Sequence, residues 1–185
     1  MDFNFGVIII YPLFHLAIPL LLFEFPQIKK RLQVNRLALI IGSLIPDVID
    51  KSLMFLGVSS GRGYCHTLLF VLISSLIIYV ITKSNKVITL SYFIGSLIHL
   101  LLDLPDVPIL FPFIPYQFFY LDDPFSSWLT ELLNQPFNYV SEIIGFAILS
   151  FIFINNKLYR FKQFKDFLFK SSQIELELDG KKLSE

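Results

Sequence analysis

A succession of long apolar runs is the feature of this sequence that most limits how the chain can fold. Several runs are about 17 residues long, the short end of the range for a helix that crosses a membrane. They make the chain 55% hydrophobic, with 21 Phe residues and a mean hydropathy of +0.67. We therefore predict an all-α fold, a multi-pass transmembrane bundle of about five helices with a structured outer loop and a short cytoplasmic tail. The predicted helices cover residues 3–25, 35–50, 66–82, 87–104 and 139–155.

The rest of the composition narrows the class of protein. The formal net charge is zero, which argues against the basic footprint of a nucleic-acid-binding protein. Cys65 is the only cysteine, so an intrachain disulfide and a cysteine-ligated zinc site are excluded. The apolar N-terminus lacks a basic region and a small-residue cleavage site, and we expect a retained membrane segment there. The predicted organisation is one membrane-embedded domain over residues 1–156 and a basic amphipathic tail over 157–185.

Basic residues are concentrated in every second connection between the predicted helices. Residues 27–36 carry four Lys or Arg and residues 83–86 carry two, whereas the proline-rich and aromatic outer loop 105–138 carries none. Because basic loops stay on the cytoplasmic side of a membrane, we expect a multi-pass protein of the cell membrane with its N-terminus outside and its C-terminus in the cytoplasm. Lys51 and Arg62, on the predicted outer side, are the exceptions.

His99 and Asp103 carry the sharpest functional signal. They lie one turn apart near the end of an otherwise apolar helix, so both side chains are on one face and can offer two ligands to one metal ion. The alternative is a His–Asp hydrogen bond within the core, which would also satisfy both polar groups. The predicted topology favours the metal, because it brings every histidine and several carboxylates to the same outer layer. The candidate metal ligands are His15, Asp47, Asp50, His66, His99 and Asp103.

Histidine and carboxylate ligands without a thiolate suit zinc, and manganese or iron are the other metals for such a site. A metal ion of this kind lowers the pKa of its bound water to about 7, which makes hydrolysis the expected reaction class. Asp50 is the candidate proton acceptor. Arg62 is the candidate contact for a phosphate or carboxylate of the substrate, with lipid headgroup contact as the alternative. Glu142 is a further candidate ligand or, alternatively, a capping residue near the membrane surface.

The order of these residues resembles a known family. The ordered motifs are His15, Pro46-Asp47-x-x-Asp50, Arg62-Gly63-x-x-His66-Thr67 and Gly95-x-x-x-His99-x-x-x-Asp103. They resemble the membrane-bound metal-dependent hydrolases, which include LexA-regulated inner-membrane proteins of bacteria, and the same order is similar to the zinc-dependent phospholipase C and nuclease group. The resemblance implies a first metal ion with these ligands: Asp47 or Asp50, His66, His99 and Asp103. It implies a second ion that His15 reaches and Asp103 bridges. The later His-x-x-x-Glu of the phospholipase group has only Asn138-x-x-x-Glu142 as its counterpart, so one or two ions are implied.

We therefore expect a membrane-bound metal-dependent hydrolase that acts on a phosphoester or a lipid headgroup at the outer membrane interface. The alternative is a non-enzymatic membrane protein that uses the same cluster as a structural or carrier metal site. Membrane lipids are the expected partners, and no nucleic acid is expected. In the tail, Lys and Phe are interleaved between Lys157 and Lys170, which favours a basic amphipathic helix on the inner membrane face or, alternatively, a solubilising flank. Ile174, Leu176 and Leu178 alternate as in a small hairpin.

Overall fold

The computed structural model describes residues 11–59, 61–118 and 123–170, apart from the side chain of residue 131. All regular secondary structure in these residues is helical, which confirms the predicted all-α class. The hairpin predicted in the tail and the first residues of the predicted helix 3–25 lie outside the described residues. The helices are α1 (Pro12–Glu24), α2 (Pro26–Arg31), α3 (Arg36–Phe55), α4 (Leu68–Ile81), α5 (Lys86–Leu102), α6 (Pro124–Asn134), α7 (Pro136–Asn155) and α8 (Phe161–Phe169), with a 3₁₀ turn at Tyr64–His66 before α4.

Five of these helices, α1, α3, α4, α5 and α7, correspond to the five predicted apolar runs. Among the described residues, only α7, with 20 residues, is both long and apolar enough to cross a membrane. The helices α1, α4 and α5 are apolar but have 13, 14 and 17 residues. At 1.5 Å per residue, α5 is about 26 Å long, somewhat less than the hydrocarbon thickness of about 30 Å. Length and composition therefore support one crossing by themselves.

Successive members of this set of five alternate in direction. The end of α1 meets the start of α3, where Glu24 Oε1 lies 3.0 Å from Arg36 Nη2. The start of α3 also meets the start of α5, where Asn35 N donates to Ser91 Oγ. The bundle therefore has two distinct ends. One end contains the starts of α1, α4 and α7 and the ends of α3 and α5, and we call it the histidine end. We call the opposite end the basic end.

The helices α3 and α5 cross at a pair of glycines. A Cβ at Gly42 would overlap the carbonyl oxygen of Tyr92, and a Cβ at Gly95 would overlap a backbone carbonyl of α3. Only glycine therefore lets the two backbones approach so closely. Ser96 Oγ donates to the Gly42 carbonyl at 3.0 Å across this crossing. That carbonyl lacks its usual helical donor because Pro46, four positions later, has no N–H.

The sequence-based prediction is wrong about one helix end and about one loop. The sequence predicts that the second helix ends at residue 50, but α3 continues through Pro46 to Phe55. The hydroxyl of Ser96 takes the place of the missing proline N–H, and the helix continues past the proline. Residues 105–138, predicted as a loop, contain α6. Its sequence signal is Pro124 at the first helical position, followed by apolar residues at helical spacing.

Large apolar side chains cover the outside of α4 and α7, whereas small and polar ones face the inside of the bundle. Leu76 and Ile81 of α4 are 63% and 69% exposed, and Phe146 of α7 is 64% exposed. The buried residues of these two helices are Val71, Ser75, Asn138, Ser141, Gly145 and Ile152. This distribution is the reverse of that in a soluble helix and is typical of helices that contact lipid.

Candidate metal centre

Four side chains converge at the histidine end of the bundle. They are Asp47 of α3, His66 of the 3₁₀ turn, and His99 and Asp103 at the end of α5. One ligand atom from each side chain lies within 4.8 Å of those of the other three, and all four residues are buried. The structure therefore brings together four of the six predicted ligands, and these groups could hold a metal ion.

The separations between these atoms fit a tetrahedral site. His66 Nε2 lies 3.2 Å from His99 Nε2, and Asp103 Oδ2 lies 3.4 and 3.3 Å from these two nitrogens. Asp47 Oδ1 lies 3.3 Å from His66 Nε2 and 3.9 Å from His99 Nε2. A tetrahedral zinc ion with bonds of 2.0–2.1 Å needs ligand atoms about 3.3 Å apart. The residues present therefore fit such an ion.

Hydrogen bonds on the far side of each imidazole direct its Nε2 into the cluster. His99 Nδ1 donates to the Ser43 carbonyl at 2.8 Å, and His66 Nδ1 donates to Asp50 Oδ2 at 2.7 Å. With a proton on Nδ1, the lone pair of a neutral imidazole is on Nε2. Asp103 Oδ2 is buried and has no hydrogen-bond partner among the described residues. Lone pairs thus converge in a buried space, where a proton or a metal ion is needed to offset their repulsion.

Asp50 lies behind His66 rather than beside the four ligand atoms. Its Oδ2 accepts hydrogen bonds from the backbone N–H groups of Gly63 at 2.8 Å and Cys65 at 3.1 Å, as well as from His66. A Cβ at Gly63 would lie 2.7 Å from Ser59 Oγ, so the turn closes over the carboxylate only with glycine there. Asp50 therefore fixes the 3₁₀ turn and orients His66. Its sequence-based roles as metal ligand and proton acceptor stay predictions.

Two cations hold the other oxygens of the cluster carboxylates. Lys51 Nζ lies 2.5 Å from Asp47 Oδ2, and Arg62 Nη2 lies 3.4 Å from Asp103 Oδ1. The side chains of Lys51 and Arg62 are 18% and 12% exposed, against 8% or less for the four ligands. The two cations therefore form the solvent-facing rim of the cluster. Sequence analysis did not assign Lys51 to the site, although its position four residues after Asp47 on the same helix face is a usable signal.

His15, at the start of α1, lies next to the cluster but outside the group of four. Its Nε2 lies 3.4 Å from Asp103 Oδ1, and its ring centroid lies 4.1 Å from that of His99. Neither ring nitrogen of this fully buried side chain has a hydrogen bond among the described residues. The structure therefore brings His15 to the predicted layer, and a second metal ion there stays a prediction.

Glu142, the further candidate ligand, contacts the backbone of α1 rather than the cluster. Its Oε1 accepts from Phe14 N at 3.0 Å and its Oε2 accepts from Leu13 N at 3.3 Å. These N–H groups belong to the first turn of α1 and have no acceptor within the helix. Gly145, one turn later in α7, lets the two backbones meet, because a Cβ there would lie 2.7 Å from Phe14 N. Glu142 thus caps α1 and holds the turn that carries His15.

The 3₁₀ turn contains two groups with shifted pKa values. Burial, together with the neighbouring Asp50 carboxylate, raises the pKa of the Cys65 thiol to about 12, so the thiol stays protonated and is not a nucleophile. Burial lowers the pKa of His66, but the neighbouring carboxylates of Asp103, Asp47 and Asp50 outweigh burial and raise this pKa to about 10. At neutral pH, His66 is therefore a positively charged imidazolium, with protons on both ring nitrogens, unless another cation enters the cluster.

Comparison with known proteins gives a match at the level of a family. A family model described as YdjM inner membrane protein matches residues 11–162, which include all of the candidate site residues. No curated protein and no solved structure matches the chain.

Proposed function

The chain belongs to the YdjM inner membrane protein family, and from this premise we propose that it is a multi-pass membrane-bound hydrolase that depends on a metal ion. In this proposal the cluster of Asp47, His66, His99 and Asp103 holds the ion. The substrate is a phosphoester or a lipid headgroup at the outer surface of the membrane in which the protein lies. The observation that carries the proposal is the convergence of four buried ligand atoms beneath a rim of two cations.

The multi-pass arrangement is supported by the lipid-like exposure of α4 and α7 and by the distribution of charge. The basic end has these Lys and Arg residues: Lys29, Lys30, Arg31, Arg36, Lys83, Lys86, Lys157, Arg160, Lys162, Lys165 and Lys170. At the histidine end, Lys51 and Arg62 are paired with Asp47 and Asp103. With so many more Lys and Arg residues at the basic end, the positive-inside rule supports a cytoplasmic basic end and a metal centre at the outer surface.

The donor set supports zinc as the ion, with manganese or iron as the other candidates, because two imidazoles and two carboxylates suit all three. A divalent ion held there would supply Lewis acidity toward a phosphoryl or acyl oxygen and make water a better nucleophile near neutral pH. The chain itself orients the ligands: Ser43 fixes His99 through its carbonyl, and Asp50 fixes His66. We assign Asp50 to positioning, because its Oδ2 already accepts three hydrogen bonds.

The cationic rim supports an anionic substrate. Lys51 and Arg62 each contact a carboxylate that also faces the cluster, and both are partly exposed. A phosphate group arriving at the centre can therefore exchange for, or share, these charge-assisted contacts. Lys51→Met should raise KM for a phosphoester by about 10-fold or more, as expected for the loss of a hydrogen bond to a charged group. Lys86→Met, at the basic end, is the matched control.

The experiment that tests the centre compares two isosteric variants of neighbouring acids. Asp103→Asn removes a cluster ligand, whereas Asp106→Asn changes an acid whose side chain is 37% exposed and outside the group of four. The proteins are purified in detergent, their metal content is measured by plasma mass spectrometry, and hydrolysis is assayed with phosphomonoester, phosphodiester and headgroup-labelled lipid substrates. We expect Asp103→Asn to lose metal and activity, and Asp106→Asn, whose carboxylate lies 3.8 Å from the rim residue Arg62, to keep its metal. A wild-type protein that binds no Zn, Mn or Fe at neutral pH would overturn the proposal.

A structural or carrier metal site is the second candidate, and one observation favours it. Four protein ligand atoms are enough to saturate a tetrahedral ion and leave no position for water or substrate. The same experiment distinguishes the two candidates. If the protein binds one metal ion tightly and hydrolyses none of the substrate classes, the structural or carrier function replaces the hydrolase.

A further inference from the structure

The helix α8 is docked at the basic end of the bundle, far from the metal centre. Arg36 Nη1 donates to the Phe167 carbonyl at 3.2 Å, and the guanidinium lies 4.2 Å from the centre of the Phe167 ring. Arg36 also pairs with Glu24, so one buried guanidinium joins α1, α3 and α8. Phe167 is 5% exposed. The first part of the predicted tail is therefore a fixed element of the bundle.

This docking covers only part of the apolar face of α8. Phe161, Phe164 and Phe167 follow one another at intervals of three residues, so their side chains form one continuous strip along the helix. Phe161 and Phe164 are 82% and 42% exposed, in contrast to Phe167. Two large aromatic side chains next to a docked third one are costly in water, and their exposure indicates a surface that another phase or molecule covers.

Basic side chains border the exposed part of this strip. Lys162 and Lys165 are exposed and lie one turn apart, and Lys165 also lies one turn after Phe161 on the helix surface. Arg160 immediately precedes the helix. An apolar strip bordered by cations is the pattern of a helix that lies in the headgroup region of a membrane.

We infer that α8 is a binding site for anionic phospholipids. Phe161 and Phe164 enter the boundary between headgroups and acyl chains, and Lys162 and Lys165 bind the lipid phosphates. The position of α8 fits this occupant, because residues 156–160 link it directly to α7, the helix long enough to cross a membrane. Five extended residues reach at most about 18 Å, so α8 stays at the membrane surface. The negative potential of the cytoplasmic leaflet complements the lysines.

The inference is tested on the full-length protein reconstituted into vesicles. Cys65 is replaced by serine, and Phe161→Cys is labelled with an environment-sensitive fluorophore. The vesicles contain phosphatidylcholine alone or phosphatidylcholine with about one third phosphatidylglycerol. We expect quenching of the label by acrylamide, a neutral quencher that the vesicle charge does not repel, to be at least about twofold weaker in the anionic vesicles. Lys162→Glu together with Lys165→Glu should abolish that difference, and the bound metal should stay unchanged because the metal centre is at the other end.

Three results would overturn the inference. The label could be quenched by acrylamide equally in neutral and anionic vesicles. The charge-reversed variant could be protected as well as its parent. Protection could instead rise with the ratio of protein to lipid in both vesicle types, which would mean that a second copy of the chain covers Phe161. None of these results bears on the metal centre, so this inference and the proposed function stand or fall separately.

Discussion

The orientation of His66 by Asp50 gives the most specific prediction, because one substitution separates positioning from metal binding. In Asp50→Asn, the amide oxygen can take the place of Oδ2 and accept from Gly63, Cys65 and His66. The amide nitrogen then occupies the site of Oδ1, which is buried and has no hydrogen-bond partner among the described residues. The fold is kept, but the imidazole loses its charged partner and the carboxamide gains an unsatisfied donor.

The two consequences have different sizes and different readouts. Loss of the outer partner of a metal-bound histidine typically weakens metal binding 10- to 100-fold, or about 1.4–2.7 kcal/mol. The buried, unsatisfied N–H group lowers the free energy of unfolding by about 1–3 kcal/mol, in the metal-free protein as well. Asp50→Asn should therefore bind metal 10- to 100-fold more weakly and melt at a lower temperature, whereas Asp47→Asn, which removes a ligand, should lose more affinity.

The assay is competition for zinc against a chelator of known affinity, with the purified protein in detergent at pH 7.5. Thermal unfolding of the metal-free proteins is measured in parallel. Asp106→Asn, outside the cluster, should bind zinc as the wild type does. An Asp50→Asn protein that binds zinc within twofold of the wild type, in a series where Asp103→Asn has lost binding, would refute the reasoning that the Asp50–His66 hydrogen bond prepares the site.

Three further predictions concern packing, capping and pH. Gly95→Ala should lower the free energy of unfolding by about 3 kcal/mol or more, because the new methyl group meets the backbone of α3. Gly57 has φ +73 and nothing within 4 Å of its Cβ, so Gly57→Ala should cost about 1 kcal/mol in the same thermal melts. Glu142→Gln should lower stability by about 0.5–2 kcal/mol through the cap of α1 and leave zinc affinity within threefold, as measured by the same chelator competition. Because the pKa of His66 is raised to about 10, the metal-free imidazole holds a proton that the metal ion must displace. Zinc affinity should therefore fall about tenfold per pH unit as the pH drops from 8 to 6. Calorimetry in buffers of different ionisation enthalpy should detect about one proton released per zinc ion bound.

The sequence predicts the helices well where apolar runs and basic connections agree, and it predicts the convergence of His66, His99 and Asp103 because the helices alternate in direction. It ends α3 five residues too early, at residue 50 instead of Phe55, and it cannot foresee that Ser96 of another helix donates a hydrogen bond to the carbonyl that Pro46 leaves without a helical donor. It also misses α6, whose apolar spacing is obscured by the prolines around it.

The different roles of Asp47 and Asp50 cannot be predicted from the sequence for a similar reason. Asp47 and Asp50 are three residues apart in one helix, and spacing alone makes them equivalent candidates. The structure separates them because the glycine turn at Gly63 brings two backbone N–H groups onto Asp50 and leaves Asp47 facing the histidines. By contrast, the contact between Lys51 and Asp47 follows from their spacing of four residues in one helix.

The glycine crossing of α3 and α5 explains why the ligands meet so accurately in a bundle of short helices. Asn35 contacts Ser91 and Ser43 contacts His99, and both pairs are separated by 56 residues, so the two helices run in constant register. The same register, continued one turn further, brings Asp47 to Asp103, which is where the cluster forms. A backbone approach that only glycine permits therefore fixes the distance between ligands a turn or more away. For this reason Gly95→Ala should weaken zinc binding as well as stability, although Gly95 is not a member of the cluster, and a variant that loses stability with unchanged zinc affinity would show that the cluster does not depend on the crossing.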